Sequence, residues 1–325
     1  MKLFGRGYLN SLRPSKGNYL MLLFSHKKHD PATVHRLPFM RFYRYLILFL
    51  LVACTSPKDK NDEWPKISNL GSQLNYNVYG AGDTTLFFVH GWCINQTYWS
   101  DQVDYFKDRY RVVTVDLPGH GLSGKNREVW SVENFGRDII VLIEALSLTN
   151  VVLIGHSMGG SIILEAASNK PDKVIGFVGV DNFKDFGLPP SEEEQLQVDE
   201  FFQQVKEDYR GVMKQFAGNM LFSENTPVDV SDRVMHDILN TPENISIGIL
   251  ESLWSENDAE IQQMKNMKVK VHLINSDGYP TNEQQLRKYC GASYEVHSIG
   301  NLSHYPMIED PQKFNNILEG ILKTL

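Results

Sequence analysis

The fold is decided by residues 151–160, Val151-Val152-Leu153-Ile154-Gly155-His156-Ser157-Met158-Gly159-Gly160. Four apolar, mostly β-branched residues lead into a Gly-X-Ser-X-Gly pattern, and a helix-forming run follows over 161–168. This order predicts a buried strand, a tight turn and a helix. We expect Ser157 to sit in a strained turn, with its hydroxyl exposed above the sheet at the N-terminus of the helix. The alternative interpretation is a glycine-rich turn with an idle serine.

Strand-like and helix-like segments alternate on both sides of this stretch. The patterns predict a hairpin over 67–79, strands over 84–89, 110–115, 174–180, 269–274 and 293–297, and helices over 96–106, 131–146, 282–289 and 311–322. Such alternation predicts an α/β fold with a mostly parallel sheet and helices on both of its faces. Active sites of such sheets lie at the carboxyl ends of the strands.

Changes in composition divide the chain into four parts. Residues 1–53 form a predicted targeting segment, and the polar residues 54–65 form a predicted tether. Residues 66–182 and 256–325 carry the strand–helix alternation of the core. Residues 183–255 are helix-prone and acidic and contain no strand pattern, so they predict a helical cap inserted over the edge of the sheet.

The N-terminal part has the pattern of a secretory signal. Arg41 and Arg44 precede an apolar run over 45–53, which is shorter than the roughly 20 residues that span a bilayer. The ending Leu51-Val52-Ala53-Cys54 resembles the lipobox of bacterial lipoproteins, whose cysteine becomes the lipid-bearing N-terminus. We therefore expect Cys54 to anchor the protein to a membrane of the bacterial cell envelope, on the extracytoplasmic side. A short buried helix, or a plain signal cut elsewhere, is the alternative, and translation starting at Met40 would give a signal of ordinary length.

Charge is distributed unevenly along the chain. Residues 1–53 contain nine Lys/Arg and one acidic residue, whereas the remainder contains 23 basic and 38 acidic residues. An acidic folded part argues against a nucleic-acid partner. The spacing of His, Cys, Asp and Glu predicts no metal site, and no cofactor is expected. Cys93 and Cys290 fall in different predicted βα units, so we expect them to be unpaired.

A serine hydroxyl needs a general base within hydrogen-bonding reach, and that base needs a carboxylate that orients it. The candidate base is His304, in the loop between the last predicted strand and the last helix. The candidate acid is Asp277, which follows the strand over 269–274 in a turn. Asp181, at the end of the preceding strand, is its chief rival, and Asp258 is a weaker one.

The oxyanion of a tetrahedral intermediate needs amide donors that are already in position. We expect one donor to be the Met158 N–H and the other to be the Trp92 N–H. The Trp92 ring lines the pocket or serves ordinary packing; the sequence leaves both open. His90 and His120 lie in glycine-containing loops and are interpreted as loop braces, while His156 is expected to support the turn.

These motifs together resemble the α/β-hydrolase superfamily. The resemblance covers about 67–182 and 256–325, and it rests on four segments: residues 90–92 (His-Gly-Trp), 116–123 (Asp-Leu-Pro-Gly-His-Gly-Leu-Ser), 155–160 (Gly-His-Ser-Met-Gly-Gly) and 300–311 around His304. The order Ser, Asp, His is that of the family. Members often carry Gly-X-X-Asp at the acid strand, where this chain has Ile-Asn-Ser-Asp at 274–277. A serine nucleophile also excludes the branches that use aspartate, the haloalkane dehalogenases and epoxide hydrolases.

The resemblance implies a serine hydrolase that cleaves small-molecule carboxylic esters through an acyl-enzyme. The same apparatus performs acyl transfer, perhydrolysis, carbon–carbon bond hydrolysis or amide hydrolysis in other members, and the cap decides which. A different class, a non-catalytic binding protein on a hydrolase scaffold, is the second hypothesis.

Overall fold

The computed structural model describes residues 65–255 and 257–325. The predicted signal segment and the proposed anchor Cys54 lie outside these residues. Among the described residues, none of the helices has the length and apolar character that crossing a bilayer requires.

Eight strands of the described residues form one sheet. They are β1 (Ile67–Asn69), β2 (Ser72–Tyr79), β3 (Thr85–Val89), β4 (Arg111–Asp116), β5 (Val151–His156), β6 (Val174–Val180), β7 (Val271–Asn275) and β8 (Tyr294–Ser298). Their order across the sheet is β1-β2-β4-β3-β5-β6-β7-β8. β1 and β2 form the predicted hairpin and β2 pairs antiparallel with β4, while all other neighbours are parallel. The predicted α/β-hydrolase architecture of the sheet is confirmed.

The central strands are apolar because helices cover both of their faces. Every residue of β3, β5 and β7 is buried, as expected for parallel strands inside an α/β fold. The helices of the core are α1 (Ser100–Phe106), α2 (Val132–Ala145), α3 (Met158–Asn169), α9 (Glu283–Tyr289), α10 (Pro306–Glu309) and α11 (Pro311–Leu322).

The helix boundaries follow local capping chemistry. Ser131 caps α2 as predicted, since its hydroxyl accepts a hydrogen bond from the Asn134 N–H at 3.2 Å. The helix predicted over 96–106 is a 3-10 turn over Gln96–Trp99 followed by α1. Asn95 caps that 3-10 turn by accepting from the Thr97 N–H. The short helix α10 was not predicted; it begins at Pro306, whose fixed φ favours a first helical position.

Five helices of the described residues lie between β6 and β7. They are α4 (Glu192–Glu207), α5 (Tyr209–Met220), α6 (Val228–Asn240), α7 (Glu243–Ser255) and α8 (Asn257–Asn266). The first four fall within the range predicted as a cap, and α8 packs against α3 of the core. Ser191 and Glu194 form a capping box at the start of α4, which sets where this helical segment begins.

Candidate active site

Ser157 occupies the tight turn between β5 and α3, with φ 53° and ψ −120°. An L-residue pays a steric cost in this left-handed region, of the order of 1–3 kcal/mol, and such strain is common at active sites. The turn is possible because its neighbours lack side chains. A Cβ at Gly155 would collide with the Gly159 carbonyl, and a Cβ at Gly159 would lie 2.5 Å from the Val89 carbonyl oxygen. The strand, the helix and the end of β3 therefore approach each other closely around the serine.

Backbone strain recurs at the carboxyl ends of the neighbouring strands. Cys93 follows β3 with φ 57°, and Asp181 follows β6 with φ 46°. Together with Ser157, these residues mark the edge of the sheet at which the sequence places the motifs. Cys93 is not a rival nucleophile in this setting, because burial raises the pKa of its thiol to about 12. It is unpaired, as is Cys290.

A chain of hydrogen bonds links the serine to a histidine and an aspartate. The Ser157 hydroxyl donates to His304 Nε2 at 2.8 Å, and His304 Nδ1 donates to Asp181 Oδ2 at 2.7 Å. The side chains of His304 and Asp181 are 11% and 5% exposed, so solvent screens this chain weakly. The arrangement fixes the tautomer of His304 with its free lone pair facing the hydroxyl.

The aspartate in this chain is Asp181, so the expectation that Asp277 contacts His304 is wrong. Asp277 is exposed, and its carboxylate accepts from the Ser298 hydroxyl at 2.7 Å. Its amide donates to the Gly300 carbonyl, which ties its turn to the segment after β8. Asp277 therefore faces away from the serine. Asp258, the weakest candidate, lies exposed on α8.

The end of β7 supports the acid instead of supplying it. Ser276 donates to Asp181 Oδ1 twice, from its amide at 3.0 Å and from its hydroxyl at 2.8 Å. Asn275 exchanges hydrogen bonds with the backbone of Asn182 through its amide group. The last residue of β7, Asn275, and the first residue after it, Ser276, thus point inward, whereas Asp277 is one residue further on and is exposed.

A buried lysine completes the surroundings of Asp181. Lys184 Nζ lies 2.6 Å from Asp181 Oδ1, with the two side chains 10% and 5% exposed. Nζ also donates to the hydroxyl and the carbonyl oxygen of Ser276. Burial alone would raise the pKa of Asp181, but the charge of Lys184 and the hydrogen bond from His304 outweigh it and hold that pKa well below its usual range. Asp181 is therefore a firmly ionised carboxylate.

Two groups hold the loop that carries His304. Glu309 accepts from the amides of Ser303 and Tyr305, the residues on either side of the histidine. His156 Nε2 donates to the His304 carbonyl oxygen at 2.7 Å, so this ring supports the loop of the histidine, whereas the sequence predicts that it supports the turn at Ser157. Burial lowers the pKa of His156 to about 3, so its ring is neutral.

The loop after β3 is braced as the sequence indicates. His90 Nδ1 donates to the Gly91 carbonyl, and His90 Nε2 accepts from the Leu117 amide at 2.9 Å. His120 packs edge-on against His90, with ring centroids 5.0 Å apart. The end of β3 and the start of this loop lie against the first turn of α3, since a Cβ on Gly159 would be 2.5 Å from the Val89 carbonyl oxygen and 2.8 Å from the His90 carbonyl oxygen.

Residues of the range predicted as a cap contact Trp92 and His304. The Trp92 Nε1–H donates to the Ser246 carbonyl of α7 at 3.1 Å, and its ring packs edge-on against Phe216 of α5. The His304 amide donates to the Leu221 carbonyl just after α5. Ser157 is 3% exposed. The Trp92 ring therefore connects the loop after β3 with α5 and α7.

Sequence reasoning missed Lys184, Ser276 and Glu309. Lys184 follows the rival acid Asp181 by three residues. Its role as a charge partner could be predicted only after Asp181 had been chosen as the acid. Ser276 lies directly before Asp277, and the sequence pattern gives no sign that its hydroxyl contacts an acid. Glu309 lies five residues beyond His304, in the segment 300–311 that resembles the family. Nothing in that pattern predicts which groups Glu309 contacts.

Known proteins of one fold family are similar to this chain. The model of the alpha/beta hydrolase fold family matches residues 84–303, which is about two thirds of the chain. The chain belongs to the α/β-hydrolase fold family. Among curated relatives, it is similar to 3-oxoadipate enol-lactonase 2 of Acinetobacter baylyi, with 24% identity over 77% of this chain and 93% of the relative. It is also similar to the Karrikin insensitive 2 receptor CA of Petunia hybrida, with 21% identity over 73% of this chain and 91% of the relative.

Solved structures share the fold. An esterase from Exiguobacterium antarcticum superposes with a TM-score of 0.69 and 20% identity, covering 78% of this chain and 96% of the esterase. The family and its enzymatic relatives support hydrolase activity for this chain.

Proposed function

We propose that the protein is a serine hydrolase that cleaves carboxylic esters of small molecules through an acyl-enzyme on Ser157. The observation that carries the proposal is the continuous hydrogen-bond chain from Ser157 through His304 to Asp181. Asp181 replaces Asp277 as the acid in this proposal. Relatives named as an enol-lactonase and an esterase add support for an ester or lactone bond.

In the first half of the reaction, Ser157 Oγ attacks the carbonyl carbon and its proton passes to His304 Nε2. Asp181, ionised by its surroundings, stabilises the imidazolium through Nδ1. The amides of Met158 and Trp92 are the proposed donors to the oxyanion. When the intermediate collapses, the ester C–O bond breaks and the proton on Nε2 goes to the departing alcohol. Water then attacks the acyl carbon with His304 as base, and Ser157 regains its proton.

The cap supports a small substrate. Ser157 is 3% exposed, and two aromatic rings of the segment between β6 and β7 contact rings of the core, Phe216 with Trp92 and Phe222 with Tyr305, the neighbour of His304. An apolar enclosure that excludes water favours a short apolar acyl group and strengthens the electrostatic contribution of the oxyanion donors.

The proposal is tested with the purified full-length chain and p-nitrophenyl esters of two to eight carbons, beside small lactones, an anilide and a carbon–carbon substrate. We expect turnover of short esters, and a fall of kcat by at least ~10³-fold in Ser157→Ala. Ser168→Ala, at the far end of α3, is the matched control and should retain activity. Equal rates for Ser157→Ala and the wild type would refute the proposal. Binding of esters without any turnover would favour the second hypothesis, a non-catalytic binding protein on a hydrolase scaffold.

We also propose that Cys54 carries a lipid that anchors the protein to a membrane of the bacterial cell envelope, on the extracytoplasmic side. The support is the lipobox-like sequence that ends at Cys54, after a short apolar run. In cells fed a labelled fatty acid, the wild type and a Cys290→Ser control should incorporate label and sediment with membranes, whereas Cys54→Ser should do neither. Labelling of Cys54→Ser at the wild-type level would contradict the anchor.

A further inference from the structure

Three potential metal ligands lie on one face of the last two strands, apart from the catalytic residues. His272 of β7 pairs directly with Glu295 of β8 in the strand register, and His297 follows Glu295 by two residues. Residues two apart on a strand face the same side, and so do directly paired residues on neighbouring parallel strands. The register therefore brings all three side chains together, although His272 and His297 are 25 residues apart in sequence.

The ligand atoms of these side chains form a triangle of suitable size for a metal ion. His272 Nδ1 lies 3.0 Å from His297 Nε2, and Glu295 Oε2 lies 3.9 Å from the first nitrogen and 4.0 Å from the second. A point in the plane of these atoms is about 2.1 Å from each, which matches the zinc–imidazole and zinc–carboxylate bond lengths of roughly 2.0–2.2 Å.

The surroundings leave room for further ligands. A cavity of about 450 Å³ opens beside the triangle, between the end of the sheet and α11. Ser298, Asn316 and Thr324 line it and can hydrogen-bond metal-bound water.

We propose that His272, Glu295 and His297 bind a borderline divalent cation such as Zn²⁺, with water completing its coordination. Two imidazoles and one carboxylate are a ligand set that zinc accepts. The ring that donates in the present His272–His297 hydrogen bond shifts its proton to its other nitrogen, so that Nδ1 of His272 and Nε2 of His297 both face the cation. The site joins β8, the edge strand of the sheet, to β7, so metal binding stabilises the fold at this edge.

One neighbouring residue competes with the cation. Lys270 Nζ lies 2.6 Å from Glu295 Oε2, and the two side chains are 40% and 48% exposed. An ion pair this exposed is weak, so a divalent cation can displace the ammonium from the carboxylate. Removing the charge of Lys270 should therefore raise the metal affinity, and removing the imidazole of His297 should lower it.

The test is calorimetric titration of the metal-free full-length chain with Zn²⁺, purified without a histidine tag. We expect His297→Ala to lose one bound zinc, Glu295→Gln to weaken that binding by about tenfold or more, and Lys270→Gln to strengthen it. His236→Ala, which removes an exposed histidine of the cap, is the matched control and should bind as the wild type does. Circular dichroism verifies that each variant is folded.

Two further readouts sharpen the result. Zn²⁺ should raise the thermal midpoint of the wild type but not of His297→Ala. Co²⁺ bound in place of Zn²⁺ should show ligand-field bands without the sulfur charge-transfer band that cysteine ligands produce. Equal zinc affinity and stoichiometry in the wild type and folded His297→Ala would overturn the proposal, as would the absence of binding at millimolar Zn²⁺.

Discussion

Two neighbouring strand ends each present an aspartate, and only one of them faces the histidine. Asp181 follows β6, is buried, and accepts from His304, Ser276 and Lys184. Asp277 follows β7, is exposed, and accepts from Ser298. Both lie at the carboxyl edge of the same parallel sheet. A strand end therefore places a residue at the right edge, but the donors available to a buried charge decide which carboxylate the site uses.

The two aspartates differ in the partners that stabilise their charge as well as in the direction of their side chains. A buried carboxylate is costly without partners, and Asp181 has a cation, two donors from Ser276 and the imidazole. Its left-handed backbone, φ 46°, aims the side chain along the sheet edge toward β7. Asp277 has no need of such partners because water solvates it. The strained and crowded strand end is the one that serves the candidate chemistry.

The largest expected effect comes from changing the two aspartates in parallel. Asp181→Asn should reduce kcat for a short p-nitrophenyl ester by roughly 10³–10⁴-fold, because an amide no longer holds the productive tautomer of His304 or stabilises its cation. Asp277→Asn is the matched control and should remain within about twofold of the wild type, since it alters an exposed group. Steady-state kinetics measures both, and a large loss in Asp277→Asn alone would reverse the assignment.

A smaller effect is expected from removing the cation behind Asp181. In Lys184→Met, Asp181 keeps its two donors from Ser276 but loses a positive charge that opposes a second one on His304. The imidazolium becomes easier to form, so the acid limb of the kcat/KM profile should move to higher pH by about one unit. Lys170→Met, which removes a partly exposed lysine paired with Glu144, is the control. An unchanged profile in folded Lys184→Met would show that the lysine has only a packing role.

Asp181 and the buried histidines lose their contributions to stability in different pH ranges. Burial lowers the pKa of His120 and His156 to about 3, from an ordinary value of 6.5. Between these values the unfolded chain binds protons that the folded chain does not, so stability falls as the pH falls below 6.5. Each histidine contributes at most about 1.4 kcal/mol per pH unit. Asp181, with a lowered pKa, stabilises the fold above pH 3.8 and loses that contribution below it.

Urea unfolding at pH 7.5, 6.0 and 5.0 measures this difference. The free energy of unfolding should decrease over this range in the wild type and by the same amount in Asp277→Asn. The decrease should persist in Asp181→Asn, because the aspartate titrates at lower pH. A free energy that is constant from pH 7.5 to 5.0 would contradict the buried, neutral state of the two histidines.

Much of the fold could be predicted from the sequence because its signals are local. The strand–turn–helix of 151–169 follows from apolar residues and glycines that are contiguous in the chain, and Ser131 caps α2 within three residues. The choice between Asp181 and Asp277 could not be made in this way. It depends on Ser276 and Lys184, which meet at Asp181 only when β6 and β7 are side by side. The histidines 272 and 297 illustrate the same limit, because only the register of β7 with β8 brings them together.

The most direct test of the proposed catalytic site is covalent labelling with a fluorophosphonate, read by intact-protein and peptide mass spectrometry. We expect the wild type to gain one phosphonyl group on the peptide that contains Ser157. Labelling should be retained in Asp277→Asn, should slow strongly in His304→Ala and Asp181→Asn, and should be absent in Ser157→Ala. A folded wild-type protein that remains unlabelled, or that carries the label on a residue other than Ser157, would contradict the account.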